Sequence, residues 1–248
     1  TISHRTVFQE AAKKRDQIKY TNKNFAKSIN SFLSRLHWRS HFIQKLEDQP
    51  SIEHTSFIPV YDQIREKDEE KLEAWIEGKT GVHFIDACMI YLRNYGWINF
   101  RMRAMLASFA SYNLWLDWRY FAPRLAALFT DFEPGIHYSQ IQMQSGTTGI
   151  NTIRMYNPYK QAMDQDPLAK FIKSQIPEVK NFPPAFFHNP PKKSLNVNLF
   201  DNEFQKEIIN VKETAQYARK KIFDIRKSQE HKILAKNVYL KHGSRGRN

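Results

Sequence analysis

The sequence has a single cysteine, Cys88, in 248 residues. One cysteine excludes an intrachain disulfide, and the apolar neighbours of Cys88 are typical of an inert core thiol, which suits a reducing compartment. The chain also lacks the run of about 18 apolar residues that a membrane span needs, and its first residues lack the apolar segment of a signal peptide. We therefore expect a soluble, cytoplasmic protein without a membrane anchor.

Other absences exclude several kinds of active site. No set of cysteines and histidines has the spacing of a zinc site, and an Asp-x-Glu pair alone does not make a metal site. The Gly-rich loops that bind nucleotide phosphates are missing. His137 with Ser139 has no placed acid, so a hydrolase triad is unsupported. We expect no metal.

The net charge is strongly positive. The chain has 38 Lys and Arg against 25 Asp and Glu, which gives a formal charge of +13 and a pI near 9.7. Such a balance favours an anionic partner such as nucleic acid, although solubility or acidic lipid would also account for it. More than half of the excess lies in residues 206–248. An apolar stripe there predicts a docked helix with a basic outer face, followed by a loose tail. We expect a helical core over 1–190 and a basic extension over 191–248.

Only eight glycines and 14% aromatic residues favour a compact helical domain over a turn-rich β-fold. Apolar residues recur at spacings of three and four in the central stretch, as in Met102, Leu106 and Phe109, which predicts helix packed on helix. The same stretch contains Arg101 and Arg103. Because an unpaired buried arginine is costly and does not deprotonate, these residues indicate an anionic partner. The predicted fold class is all-α, with one helix from about Phe25 to Lys45, a loop from Gln140 to Ile153 and a proline-rich, non-helical segment from Phe182 to Ser194.

Several short motifs in this stretch recur together in one known family. They are Trp75-x-x-Gly78-x-Thr80-Gly81, Ile85-Asp86-Ala87-x-Met89, Gly96-Trp97-x-x-x-Arg101-x-Arg103, Asp117-Trp118-Arg119, Asp131-x-Glu133, and Arg154-x-x-Asn157-Pro158 with Asp166-Pro167. In this order and spacing the chain resembles the flavin-binding helical domain of the photolyase/cryptochrome family. The resemblance begins just after the family's Ser/Thr-rich flavin-phosphate loop, so we expect this chain to be a fragment whose N-terminal part and possible antenna domain lie upstream.

The resemblance implies a noncovalently bound FAD. The residues expected on the flavin side are Arg39, Trp97, Arg103, Asp131, Glu133 and His137. Arg103 and Asp131 would form a buried salt bridge, and His137 would face the flavin N5 and hold or release a proton near neutral pH. Without a ligand, Arg103 would simply pair across two helices, and His137 would be an exposed loop residue.

The resemblance also implies contacts with DNA, in damaged or single-stranded regions. Arg101 and Arg154 match residues that contact the DNA strand. Trp38 matches a tryptophan of the substrate cavity, and the alternative is that Trp38 is a plain core aromatic. Arg35 replaces a glutamate that hydrogen-bonds the damaged pyrimidine, and an arginine only donates hydrogen bonds. It would then hold a phosphate, or be solvated on a helix face.

Further departures affect the family's electron relay of three tryptophans. Trp118 matches the middle member, but Arg65 and Ile141 replace the outer and inner members. Phe100 and Met143 replace two more residues of the substrate side. The sequence therefore predicts a DNA photolyase-like enzyme that uses reduced FAD and light, with a cryptochrome-like photoreceptor as the alternative. A flavin-free helical module that binds nucleic acid is the third hypothesis.

Overall fold

A computed structural model describes residues 2–189 and 206–243. Over these residues the structure is helical, and a single β-bridge joins Glu66 to Leu116 where no strand forms. The predicted all-α class is confirmed. The helices are α1 (His4–Ile18), α2 (Lys23–Asp48), α3 (Glu69–Glu77), α4 (His83–Tyr95), α5 (Phe100–Ser108), α6 (Trp118–Ala126), α7 (Pro134–Ser145), α8 (Pro158–Gln165), α9 (Lys170–Gln175), α10 (Pro184–His188), α11 (Val211–Lys227) and α12 (Gln229–His242).

The chain divides into two compact units. The first comprises the chain up to Glu53 together with Pro134–Ser139, and the second comprises His54–Glu133 with the described residues from Gln140 onward. The predicted boundary at residue 190 falls where the described residues stop. That division of the chain stays a prediction, and its loose tail lies outside the described residues.

The first unit is built on a hairpin of α1 and α2. Ser3 and Asn22 cap the two helices, because their side chains accept hydrogen bonds from the first-turn amides. Phe8 lies edge-on to His37, with ring centroids 5.0 Å apart, so the start of α1 meets the second half of α2 and the two helices run antiparallel. A Cβ on Gly135 would lie 2.6 Å from the Cα of Ile43, so the start of α7 can approach α2 this closely only with glycine.

The second unit has an aromatic core. Its largest fully buried side chains include Trp75, Trp118 and Phe121, and the rings of Trp75 and Phe121 meet edge to face at 5.6 Å. The apolar spacing of three and four in α4 and α5 accounts for their burial, and the predicted helix-on-helix packing is present. After Ser108 the helix widens into a π-helical turn (Phe109–Asn113), a feature that is frequent at functional sites.

Three local expectations are wrong. Residues 140–145 were expected in a loop, but they complete α7. The proline-rich stretch from Phe182 was expected to be non-helical, yet Pro184 begins α10, because the first turn of a helix does not need its amide hydrogen. The single basic helix expected near the C-terminus is two helices, because Ser228 ends α11 and its side chain caps α12. The predicted apolar stripe holds, with Val211, Ala218 and Ile222 buried.

Candidate functional site

Arg103 is the centre of the candidate site in the second unit. Its Nη2 donates to a carboxylate oxygen of Asp131 at 2.9 Å, and its Nε donates to the carbonyl of Ile98 at 2.7 Å. The guanidinium carbon lies 4.2 Å from the ring centroid of Phe129. The predicted ion pair is therefore present. The expectation that it is buried is wrong, because the Asp131 side chain is 47% exposed.

An exposed aromatic ring accompanies this ion pair. Trp97 follows the left-handed Gly96 that ends α4, and its indole is 51% exposed although it belongs to an apolar stretch. Its ring centroid lies 5.9 Å from the guanidinium carbon of Arg103. Glu133 is half-buried two residues beyond Asp131. Arg103, Asp131 and Trp97 thus combine a charged donor, a charged acceptor and an aromatic face on one surface.

The predicted DNA contacts of the second unit are both attached to α5. Arg101 is exposed in the first turn, where Asn99 caps the helix by accepting a hydrogen bond from the Met102 amide. Arg154 is also exposed, and its carbonyl accepts a hydrogen bond from the Ser108 hydroxyl at the last turn of α5. Since α5 rises about 1.5 Å per residue, these attachment points are about 10 Å apart along the helix.

In the first unit, Arg35, Trp38 and Arg39 share one face of α2, because residues three and four apart are neighbours on a helix. All three are exposed, and Trp38 stacks on Phe42 with ring centroids 5.8 Å apart. With 45% of its surface exposed, Trp38 is not a plain core aromatic. The structure therefore places two cations beside an exposed indole on this helix.

His137 is buried in the first part of α7, with its ring edge-on to that of Tyr138 at 5.2 Å. The alternative of an exposed loop histidine is wrong, because the helix begins at Pro134. Its assignment to the flavin N5 stays a prediction.

Trp118 is fully buried, and its indole nitrogen donates to the Ser56 hydroxyl at 2.9 Å. Ile141 is buried as well, so an apolar side chain fills the position of the predicted inner relay member. Arg65, at the outer relay position, is also buried. Its burial is unexpected, because charged side chains are mostly exposed. The sequence did not predict that Arg65 lies over the ring of Tyr112 or that Arg226 acts on the same tyrosine, because no sequence signal joins residues so far apart in the chain.

Comparison with known proteins identifies the family. Residues 32–231 match the family model described as the FAD binding domain of DNA photolyase. The deoxyribodipyrimidine photo-lyase of Vibrio cholerae serotype O1 is 32% identical over 165 residues, which cover 64% of this chain and 35% of the relative. Cryptochrome-2 of Gallus gallus is 28% identical over 163 residues, covering 64% of this chain and 28% of the relative.

A solved structure agrees with these matches. The archaeal photolyase from Sulfolobus tokodaii, whose crystal structure holds two FAD molecules, is 30% identical with a TM-score of 0.70, covering 85% of this chain and 47% of that one. The chain spans about a third of the length of the curated relatives it matches. The fold and these matches together define a flavin-binding helical domain. The chain belongs to the photolyase/cryptochrome family as its FAD-binding domain, and FAD is its cofactor.

The residues present fit this cofactor. Arg103 has no partner for its Nη1 among the described residues, so this group can still donate to a ligand. Exposed Trp97 offers an apolar surface to the flavin. The Asp131 carboxylate can accept further hydrogen bonds, from donors on the flavin ring or on its ribityl chain.

Among the residues that the structure describes, no helix has both the length and the apolarity to cross a membrane. They also form no group of three or more His, Cys, Asp or Glu side chains that could hold a metal ion.

Proposed function

We propose that this domain is part of a light-driven DNA repair enzyme of the photolyase type, acting on damaged pyrimidines. The observation that carries the proposal is the pair of exposed arginines attached to α5 of an FAD-binding domain. Arg101 and Arg154 are attached about 10 Å apart along α5, so these two long cationic side chains can reach phosphates of the same DNA strand.

Each candidate residue has a defined task in this proposal. Arg101 stands in the first turn of α5, where unpaired backbone amides and the helix dipole favour a phosphate. Arg154 would bind a second phosphate, and Arg35 a third. Trp38 offers an aromatic face on which an extruded base would stack.

The cofactor would be held by Arg39, Trp97, Arg103, Asp131 and Glu133. Bound and reduced, FAD would supply the electron that splits a pyrimidine dimer under blue light. His137, which is buried in α7, would lie beside the flavin N5, where its ring nitrogens can donate or accept a hydrogen bond. Trp118 would be the one indole left at a relay position, buried and hydrogen-bonded to Ser56, with Arg65 and Ile141 at the two flanking positions.

The test is repair by the parent protein, prepared from its natural N-terminus and reconstituted with FAD. An oligonucleotide with one cyclobutane pyrimidine dimer is exposed to blue light, and restored thymines are quantified by chromatography. We expect light-dependent repair that falls at least tenfold in the double variant Arg101→Ala, Arg154→Ala. The matched control is Arg93→Ala, an exposed arginine of α4. Bound FAD without any repair would refute the enzymatic proposal.

A cryptochrome-like photoreceptor is the second candidate, and the state of Arg65 favours it. A buried guanidinium occupies the position at which the resemblance expects the outer tryptophan of the relay, and arginine does not take part in electron hopping. Bound FAD that responds to light, without repair, would support this candidate. It would then be tested by light-dependent binding of a partner protein.

A further inference from the structure

The second unit contains a largely buried cluster of two arginines and two tyrosines that the proposed function does not use. We define this arginine–tyrosine cluster as Arg65, Arg226, Tyr61 and Tyr112. Tyr61, Arg65 and Tyr112 are almost fully buried, and Arg226 is half-buried. The Tyr61 hydroxyl is hydrogen-bonded to the His231 ring at 2.9 Å, and Nη2 of Arg226 donates to the carbonyl of Asn151 at 2.7 Å. None of the four lies on the surface assigned above to FAD or DNA.

Arg65 is fixed in this cluster from several sides. Its Nε donates to the carbonyl of Ser111 at 3.0 Å, and its Nη2 donates to the carbonyl of Ser145 at 2.9 Å. Its guanidinium carbon lies 4.8 Å from the ring centroid of Trp115 and 5.7 Å from that of Tyr112. Its Nη1 is buried without a hydrogen-bond partner. One face of a rigidly held cation is therefore left unsatisfied.

Other donors around Arg65 are unsatisfied too. The hydroxyl groups of Tyr112, Ser111 and Ser145 are buried without partners, as is Nε of Arg226. All of these groups can donate a hydrogen bond, and the two arginine nitrogens can do nothing else. A buried donor without a partner costs about 1–3 kcal/mol. So many orphaned donors in one region indicate a missing acceptor.

The cluster also lacks a counter-charge. Among the described residues, neither Arg65 nor Arg226 forms an ion pair with a carboxylate, and nearby Asp117 is engaged by Arg119. Both arginines act on the same two phenols, since each lowers the pKa of both Tyr61 and Tyr112. Burial outweighs them and raises the pKa of Tyr112 to about 12, so this hydroxyl stays neutral. The tyrosine does not serve as an internal anion.

The backbone around the arginine–tyrosine cluster is irregular. Ser111 and Tyr112 lie in the π-helical turn, and Trp115 has a left-handed φ of 58°, which is strained for an aromatic residue. Gly146 also has a positive φ, and a Cβ there would lie 2.5 Å from the Tyr112 hydroxyl. The Tyr112 hydroxyl therefore lies directly against the backbone of Gly146, and the packing there is too close for an organic ligand.

We propose that the arginine–tyrosine cluster binds a small monovalent inorganic anion of halide size. Water would satisfy the hydroxyl groups but leave the buried charge of Arg65, with the half-buried cation Arg226 acting on the same two tyrosines, without an anionic partner, which is costly in the interior of a protein. A halide accepts hydrogen bonds from several directions and supplies the missing negative charge. The anion links the segment at Arg65 and the π-helical turn to Arg226 at the end of α11.

Crystals of the purified chain soaked in sodium bromide provide the first test. We expect an anomalous bromide peak within hydrogen-bonding distance of Nη1 of Arg65. The second test is the melting temperature Tm in potassium chloride, with potassium gluconate holding the ionic strength constant. Because an anion that binds only the folded state stabilises it, Tm should rise by about 3 to 6 °C per tenfold increase in chloride above the dissociation constant.

Variants separate binding from folding. Arg65→Met should abolish the response of Tm to chloride, but it also removes buried contacts. Tyr112→Phe removes only an unpartnered hydroxyl, so it should keep or raise Tm in gluconate while weakening the response to chloride. The control Arg219→Met, an exposed arginine of α11, should respond as the wild type does. Equal Tm values in chloride and gluconate, with water rather than bromide at Arg65, would overturn the proposal.

Discussion

The carboxylate of Asp131 is expected to matter far more for the cofactor than for folding. Its ion pair with Arg103 is half exposed, and such pairs contribute at most about 1 kcal/mol to stability. Loss of one charge-assisted hydrogen bond to FAD costs about 1.5–3 kcal/mol, which is about tenfold or more in affinity. Asp131→Asn should therefore weaken FAD binding at least tenfold, measured by quenching of flavin fluorescence, with little change in the free energy of unfolding.

The matched control for Asp131→Asn is Asp164→Asn. Asp164 pairs with Lys160 at 3.1 Å on the surface of α8, so it is a comparable exposed ion pair away from the candidate site. FAD affinity should not change in this variant. Wild-type affinity in Asp131→Asn would contradict the assignment of Asp131 to the cofactor.

His83 is expected to make the free energy of unfolding depend on pH. Its ring lies edge-on to Phe186 and Phe187, with centroids 5.6 and 5.3 Å away, and burial lowers its pKa to about 4. In the unfolded chain the pKa is about 6.5, so the unfolded state binds more protons between about pH 4 and 6.5. The contribution of His83 to the free energy of unfolding thus rises with pH through this window and is complete above it.

The variant His83→Phe keeps an aromatic ring but cannot titrate. Between pH 4.5 and 7 its free energy of unfolding should change by about 2 kcal/mol less than that of the wild type, measured by urea denaturation at each pH. The exposed His54→Phe serves as the control and should follow the wild type. An unchanged pH dependence in His83→Phe would show that its ring is not held neutral.

The side chain of Asn113 joins the π-helical turn to helix α11. Its side-chain amide donates to the carbonyl of Val211 at 3.0 Å and to the hydroxyl of Thr214 at 3.1 Å. Asn113→Ala should destabilise the docking of α11 by about 1–3 kcal/mol, because it removes two hydrogen bonds that are each worth about 0.5–1.5 kcal/mol. Faster amide hydrogen exchange across α11 and α12 would be the readout.

A graded variant makes this test more specific. Thr214→Val removes only the second of the two bonds, so its effect on exchange should be smaller than that of Asn113→Ala. Exchange in α11 that is the same in Asn113→Ala and the wild type would show that the helix is held by its apolar face alone.

The same elements show what could be predicted from the sequence. The spacing of apolar residues gave α2, α4 and α5, because burial of one helix face leaves a local pattern. The Arg103–Asp131 pair followed from resemblance, but its exposure did not, since exposure depends on how neighbouring elements pack. The π-helical turn has no local signature. Likewise, the arginine–tyrosine cluster joins Arg65 to Arg226 through tertiary contacts alone.

For the whole molecule, the charge excess predicts salt-dependent binding to DNA. Each phosphate contact releases condensed counterions, so the logarithm of the binding constant falls with the logarithm of salt concentration by about 0.9 per contact on duplex DNA. Arg101→Ala and Arg154→Ala should each reduce this slope by about 0.9 and weaken binding to all sequences alike. Fluorescence anisotropy with labelled duplexes across a series of salt concentrations measures both quantities.

A control variant separates specific contacts from the general attraction that the net charge of +13 exerts on DNA. Arg93→Ala lowers the net charge by the same amount as either test variant, but Arg93 is an exposed residue of α4, outside the proposed contact surface. It should leave the slope within about 0.3 of the wild type, since only a cation that contacts a phosphate releases condensed counterions. If Arg93→Ala lowered the slope as much as Arg101→Ala does, DNA would be held by diffuse charge, and α5 would have no special place in binding.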